Sequence, residues 1–161
     1  MFLSLFVVIC VAMLGVNAVS LRRSTEHVEP EAIGATLEAS VFSATVIRDD
    51  HIHVLELYSG MCGFCQEFAP TWRRTTALLT GYKTDRLDVD DEASLDLAIA
   101  LGLIQYGVPS IHIFSTRGSL EFEPVMRAGE EMTAEAIAAR VRDLTEPAAP
   151  RGSAGYLLKT M

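Results

Sequence analysis

Cys62 and Cys65, in Cys62-Gly63-Phe64-Cys65, are the residues of this chain best suited to chemistry. The chain has three cysteines, and the third, Cys10, lies in an apolar N-terminal run. That leaves one close pair and no further thiol from which to build a disulfide framework. A bridge between cysteines so near in sequence closes too short a loop to restrict the unfolded chain much. Reversible exchange is the better use, in which one thiolate attacks a disulfide and its neighbour resolves the mixed disulfide.

Other chemistries fit less well. Half a zinc site is present, but no second CxxC or Cys/His pair follows at ligand spacing. Haem attachment calls for histidine at position 66, which is Gln66. His51 and His53 share one face of a candidate strand and could in principle bind metal, but a solvated or packed pair is the preferred reading. Asp88, Asp90, Asp91 and Glu92 have the composition of a calcium loop without its glycine or terminal glutamate spacing. No metal and no cofactor beyond the cysteine pair is expected.

The 161 residues suit one domain, and half of them are apolar, enough to fill a core without staples. The net charge of −8 carries no basic cluster, which argues against a nucleic-acid partner. Phe2 to Ala18 is uncharged and ends in Val16-Asn17-Ala18, the pattern of a cleaved secretory signal. Against that, the first residues lack Lys and Arg, and Arg22-Arg23 follow the run. An uncleaved anchor is the alternative, because extension to Leu21 gives about 20 residues, enough to span a bilayer. Contact with a membrane is expected only in that case. A secretory route leads to a compartment that permits disulfides. The last residues, Leu158-Lys159-Thr160-Met161, are not a KDEL-type signal, so the endoplasmic reticulum lumen and secretion both stay open.

The pair needs elements to hold it. We divide the chain into a signal (1–18), a polar lead-in (19–32) with room for a short strand, a domain (33–146) and a flexible tail (147–161). Ile33 to Arg48 has helical apolar spacing. Ile52 to Tyr58 reads as a buried strand, Cys62 to Leu79 as a helix kinked at Pro70, and Arg86 to Asp90 as a second strand. A helix over Ala93 to Leu101 follows. Ser110 to Ser115 and Leu120 to Met126 form a hairpin around Thr116-Arg117-Gly118, and Thr133 to Leu144 is a closing helix. The result is an α/β sandwich with a mixed sheet. In the tail, Tyr156-Leu157-Leu158 is either a partner contact or incidental.

A strand, a short loop and a helix opening at Cys62 place that thiol against the unpaired N–H groups of a first turn. Those groups and the helix dipole favour its thiolate. Cys65 falls one turn in, positioned to resolve, and Gly63 is expected to let the loop close tightly. Glu56, in a strand of Val54, Leu55, Leu57 and Tyr58, would have a raised pKa if buried there, and would sit in solvent if the strand were an edge. With Val54-Leu55-Glu56-Leu57-Tyr58, the cysteine pair, Phe68-Ala69-Pro70-Thr71-Trp72 and Gly107-Val108-Pro109-Ser110 in this order, the chain resembles the thioredoxin superfamily. In particular it is similar to protein disulfide isomerase domains over residues 38–146. The resemblance implies a thioredoxin fold, a mixed sheet with helices on both faces. It implies thiol–disulfide oxidoreductase activity on the thiols and disulfides of client proteins. Cys62 and Cys65 are then catalytic and Glu56 relays the proton. Arg86 tunes that acid from a position where relatives have lysine. Pro109, as a cis-proline, and the Val108 backbone receive an extended client segment beside Met61, Gly63 and Phe64.

The departures are Met61 and Phe64, where isomerases usually have Trp and His, Gln66 in place of a common Lys, and a longer stretch from Arg86 to Pro109. Phe64 neither donates a hydrogen bond nor carries charge, so a less oxidising pair than a typical isomerase is expected. Its potential should fall between about −270 mV for thioredoxin and about −180 mV for the isomerase. Met61 and Phe64 also widen the apolar surface at the pair. That keeps a second reading in view, a redox-silent chaperone-like or adaptor module.

Overall fold

The structure is a computed structural model that describes residues 34–145, 152 and 157–160. The signal segment and the whole lead-in, including the short strand expected there, lie outside the described residues. The elements run β1 (Ala35–Leu37), α1 (Ala39–Phe42), β2 (His53–Tyr58), α2 (Gly63–Leu78), β3 (Lys83–Asp88), α3 (Glu92–Ala100), β4 (Ser110–Phe114), β5 (Glu123–Met126) and α4 (Ala134–Thr145). A π turn over Ser43–Ile47 extends α1, and a 3-10 turn over Leu103–Tyr106 follows α3.

The sheet order is β1-β3-β2-β4-β5. The strands β1, β3 and β2 are parallel, while β4 and β5 run antiparallel. Alternation along β2 divides the core. Val54 packs with Trp72, Ile111, Ile113, Ile137 and Val141 beneath α2 and α4. Leu55 and Leu57 pack with Phe42, Leu87, Ala98, Leu103 and Phe114 beneath α1 and α3. This is the α/β thioredoxin architecture, with helices on both faces. Trp72 is wholly buried, so Trp72→Ala should cost about 3–5 kcal/mol in denaturant unfolding.

Four expectations need correction. The helix expected over Ile33 to Arg48 begins instead with strand β1, whose Ala35, Thr36 and Leu37 pair with Asp85, Arg86 and Leu87. The four-residue spacing of Leu37 and Val41 imitates a helix, but the open edge of β3 supplies partners that local spacing does not reveal. The strand expected over Arg86 to Asp90 lies three residues earlier at its start, at Lys83, because it pairs in register with His53–Tyr58. The hairpin partner of β4 begins at Glu123 rather than Leu120. The tail is not free at Leu157–Thr160. Leu157 accepts from the Ile52 N–H and donates to Gly81 O, Lys159 N–H donates to Asp50 O, and Thr160 N–H donates to Ser115 O. Leu157 is buried in the core beneath α2 and α4, so one of the apolar residues left as a partner contact is occupied by this chain itself.

Candidate redox site

Parallel strand β2 ends where α2 begins, and the turn Ser59–Met61 carries the chain from one to the other. Asp90, two residues past the end of β3, holds that turn. Its Oδ1 accepts from the Ser59 hydroxyl at 2.7 Å and its Oδ2 from the Met61 N–H at 3.1 Å. These bonds, the Ser59 hydroxyl first, keep the Asp90 pKa below the usual carboxylate range. Gln66 braces the same turn from the helix, donating to Gly60 O at 2.9 Å. The sequence marks Asp90 only as the end of the strand expected over Arg86 to Asp90. The partners are 31 residues apart, and no local spacing announces such a bond.

Cys62 is the N-cap of α2, partly exposed, and Cys65 is buried one turn in. Both thiols are free. The Cys62 thiol lies 3.9 Å from Val108 O, at the cis Val108–Pro109 bond. Gly107 positions that loop: its φ is +72°, and a Cβ there would meet Ala128 Cβ at 2.7 Å. A side chain at 107 is therefore opposed by both backbone conformation and space. Gly63 is different. It has no positive φ, and a Cβ built on it meets nothing within 4 Å. The expectation that Gly63 permits a tight closure is not supported; it leaves the approach to Cys62 open. Around it Met61 and Phe64 stand 82% and 76% exposed, an apolar collar beside the thiol.

Glu56 is fully buried on central strand β2, which rules out the exposed edge position. Burial pushes its pKa up to about 7, against the opposing pull of Arg86. Arg86 Nε donates to Glu56 Oε2 at 2.5 Å, and its guanidinium lies 3.7 Å from the centroid of the Tyr58 ring. Glu56 Oε1 is buried with no hydrogen-bond partner among the described residues. Burial also drives the Cys65 thiol well above the ordinary value. The Ser59 backbone opposes that shift, while Cys62 and the Glu56 charge reinforce it. A buried thiol reluctant to ionise thus shares its surroundings with a carboxyl poised near neutrality.

His51 and His53 lie at the opposite end of β2, with ring nitrogens within hydrogen-bond distance of carboxylates. His53 Nδ1 is 2.5 Å from Asp85 Oδ2 and its Nε2 is 3.0 Å from Asp49 Oδ2, while His51 Nδ1 is 2.7 Å from Asp49 Oδ1. No group able to hold a metal ion occurs among the described residues. Asp88 N-terminally and Asp91 at the α3 N-cap make backbone bonds to Asp90 and Ser94.

The thioredoxin family model matches residues 34–142. A protein disulfide-isomerase A6 homolog of Drosophila melanogaster is 32% identical over 103 residues, covering 63% of this chain and 22% of that protein. A protein disulfide isomerase-like 2-3 of Oryza sativa subsp. japonica is 25% identical over 121 residues, covering 71% of this chain and 26% of that protein. The chain therefore matches only about a quarter of the length of these relatives. Among solved structures, the Trx4 domain of ERdj5 superposes with a TM-score of 0.59 at 21% identity, covering 70% of this chain and 95% of that one. The first thioredoxin domain of mouse protein disulfide-isomerase A4 gives 0.57 at 23% identity, covering 76% and 83%. By that match and its fold, the chain belongs to the thioredoxin family and is similar to the thioredoxin domains of protein disulfide isomerases.

Proposed function

We propose that this protein is a thiol–disulfide oxidoreductase that exchanges disulfides with client proteins through Cys62 and Cys65. The observation that carries the reading is the combination of three groups: an approachable Cys62 at a helix start, a buried Cys65 one turn in, and a buried Glu56 whose charge acts on Cys65. In the reductive direction the Cys62 thiolate attacks one sulfur of a client disulfide, and the other client sulfur leaves as a thiolate. Cys65 then gives its proton to Glu56 and attacks Cys62 Sγ, which releases the second client thiolate. Two electrons pass to the client and the pair is left as a disulfide, while the proton on Glu56 returns to a departing thiolate. Oxidation of clients is the same sequence reversed. An acid of pKa about 7 suits both directions, since it accepts and returns a proton near neutral pH.

The Val108 carbonyl, Pro109, Met61, Gly63 and Phe64 form the surface on which an extended client segment would lie, and Arg86 tunes Glu56. The uncharged run from Phe2 to Ala18 supports a secretory compartment, where such exchange has clients. The exposed Met61 and Phe64 favour a second reading, a binding module that holds clients without exchange. A disulfide-bonded model client separates the two. Cys65→Ser should accumulate a mixed disulfide through Cys62 that dithiothreitol releases, and Cys62→Ser should accumulate none. Absence of the adduct in Cys65→Ser, with client binding retained, would establish the module instead.

A further inference from the structure

A groove of about 830 Å³ runs from Phe64 and Val108 to the loop between β5 and α4. Its floor is apolar, built from Phe68, Met126 and Met132. Its rim carries three carboxylates, Glu67 on α2 and Glu130 and Glu131 on the loop, and among the described residues no lysine or arginine lines it. All three are exposed. Glu130 has a loose contact with Arg140 at 3.9 Å, between exposed side chains where such pairs are weak. Glu67 and Glu131 have no ion pair among the described residues. At the groove's inner end stands the Val108 carbonyl, 3.9 Å from the Cys62 thiol.

An apolar trough with a one-signed rim imposes a condition on its occupant. A large apolar side chain fills the floor, and a neighbouring cationic side chain meets the rim with its charged tip in water and its stem over the apolar edge. An acidic neighbour is repelled by the same three groups. The groove is too narrow in chemistry to treat all clients alike. Building on the exchange reading above, we propose that the groove selects client segments in which the reacting cysteine is flanked by a large apolar residue and a lysine or arginine. It discriminates against segments with acidic flanks.

The test uses two peptide disulfides that differ only in Arg or Glu flanks beside one shared leucine, and a neutral probe, hydroxyethyl disulfide. The protein should react with the arginine peptide roughly tenfold faster at low salt, a ratio that shrinks in high salt as expected for exposed charges. In E67Q/E130Q/E131Q the ratio should fall towards one, with the rate on hydroxyethyl disulfide unchanged. A control, D96N/E121Q/D143N, removes as many charges from the α3 face and the far end and should keep the ratio. That separates rim contacts from attraction by the net charge. Equal rates for the two peptides, or a preference that survives the rim variant, would overturn the proposal. Peptides with serine in place of the cysteine, followed by fluorescence anisotropy, make the groove testable apart from the chemistry. If hydroxyethyl disulfide does not react but the serine peptides still bind with a rim-dependent charge preference, the exchange reading fails and the groove proposal stands.

Discussion

The two ends of strand β2 bury charge in opposite ways. At the end nearest the cysteines, Glu56 shares one oxygen with Arg86 and leaves the other unpartnered among the described residues. At the other end His53 sits between Asp49 and Asp85, and His51 adds a second bond to Asp49. Lys159 from the tail donates to Val46 O nearby and feels the charge of Asp49, Asp50 and Asp85. The pKa values diverge accordingly. Burial dominates at Glu56 and raises it to about 7. At Asp49 burial also pushes upward, but the bonds from His53 and His51 outweigh it and hold the carboxyl at about 2. A buried acid with a free oxygen can trade protons; a part-exposed one whose oxygens are both tied acts as a clasp. The same strand thus carries a titrating device at one end and a structural lock at the other.

The contrast breaks most decisively at Glu56. Glu56→Gln should slow release of client from the Cys62 adduct by about 100-fold, the scale of a lost general acid–base group, and remove an inflection near pH 7 from the pH–rate profile. Stability should respond too. Glu56 ionises near 4.5 when unfolded and near 7 when folded, so the folded state holds the proton more tightly. Its contribution is present below 4.5 and is lost as pH rises towards 7, on the order of 3 kcal/mol in all. Urea unfolding across that range should slope downward in the parent relative to Glu56→Gln. Asp49 has the reverse sign, its contribution present above 3.8 and lost as pH falls through about 2.

At the clasp, Asp85→Ala should destabilise by about 2–3 kcal/mol through loss of the bond to buried His53. Exchange rate per folded molecule should not change, which a stopped-flow assay can establish. Leu157→Ala should cost about 2 kcal/mol by emptying part of the core beneath α2 and α4, again without a rate effect. A finer test is Arg86→Met. Removing the cation that lowers Glu56 should move the rate inflection to higher pH, whereas the same measurement on Asp85→Ala should leave it in place.

Legibility in the sequence followed the range of the interactions. Cys62 and Cys65 lie in a short motif whose spacing carries their placement, Pro109 is reached through the family resemblance, and Glu56 stands out as a lone acid in an apolar strand. Arg86 is reached only through the resemblance, at a position where relatives have lysine. Strand β1 is hidden in the sequence because a three-residue strand has no periodicity of its own and exists through pairing with β3. The bonds of Asp90 to the Ser59 turn, and of Leu157–Thr160 to the far end of the sheet, join residues tens of positions apart. The rim of the groove is likewise assembled from α2 and a loop more than sixty residues later, and becomes one surface only after folding.

The most direct test of the central claim is redox titration of the protein in glutathione buffers, with thiol trapping and mass spectrometry at each poise. Cys62 and Cys65 should lose their free thiols together, in one two-electron transition with a midpoint between about −270 and about −180 mV. Both thiols remaining free at every poise would contradict a redox device at this end of β2 and leave a binding module in its place.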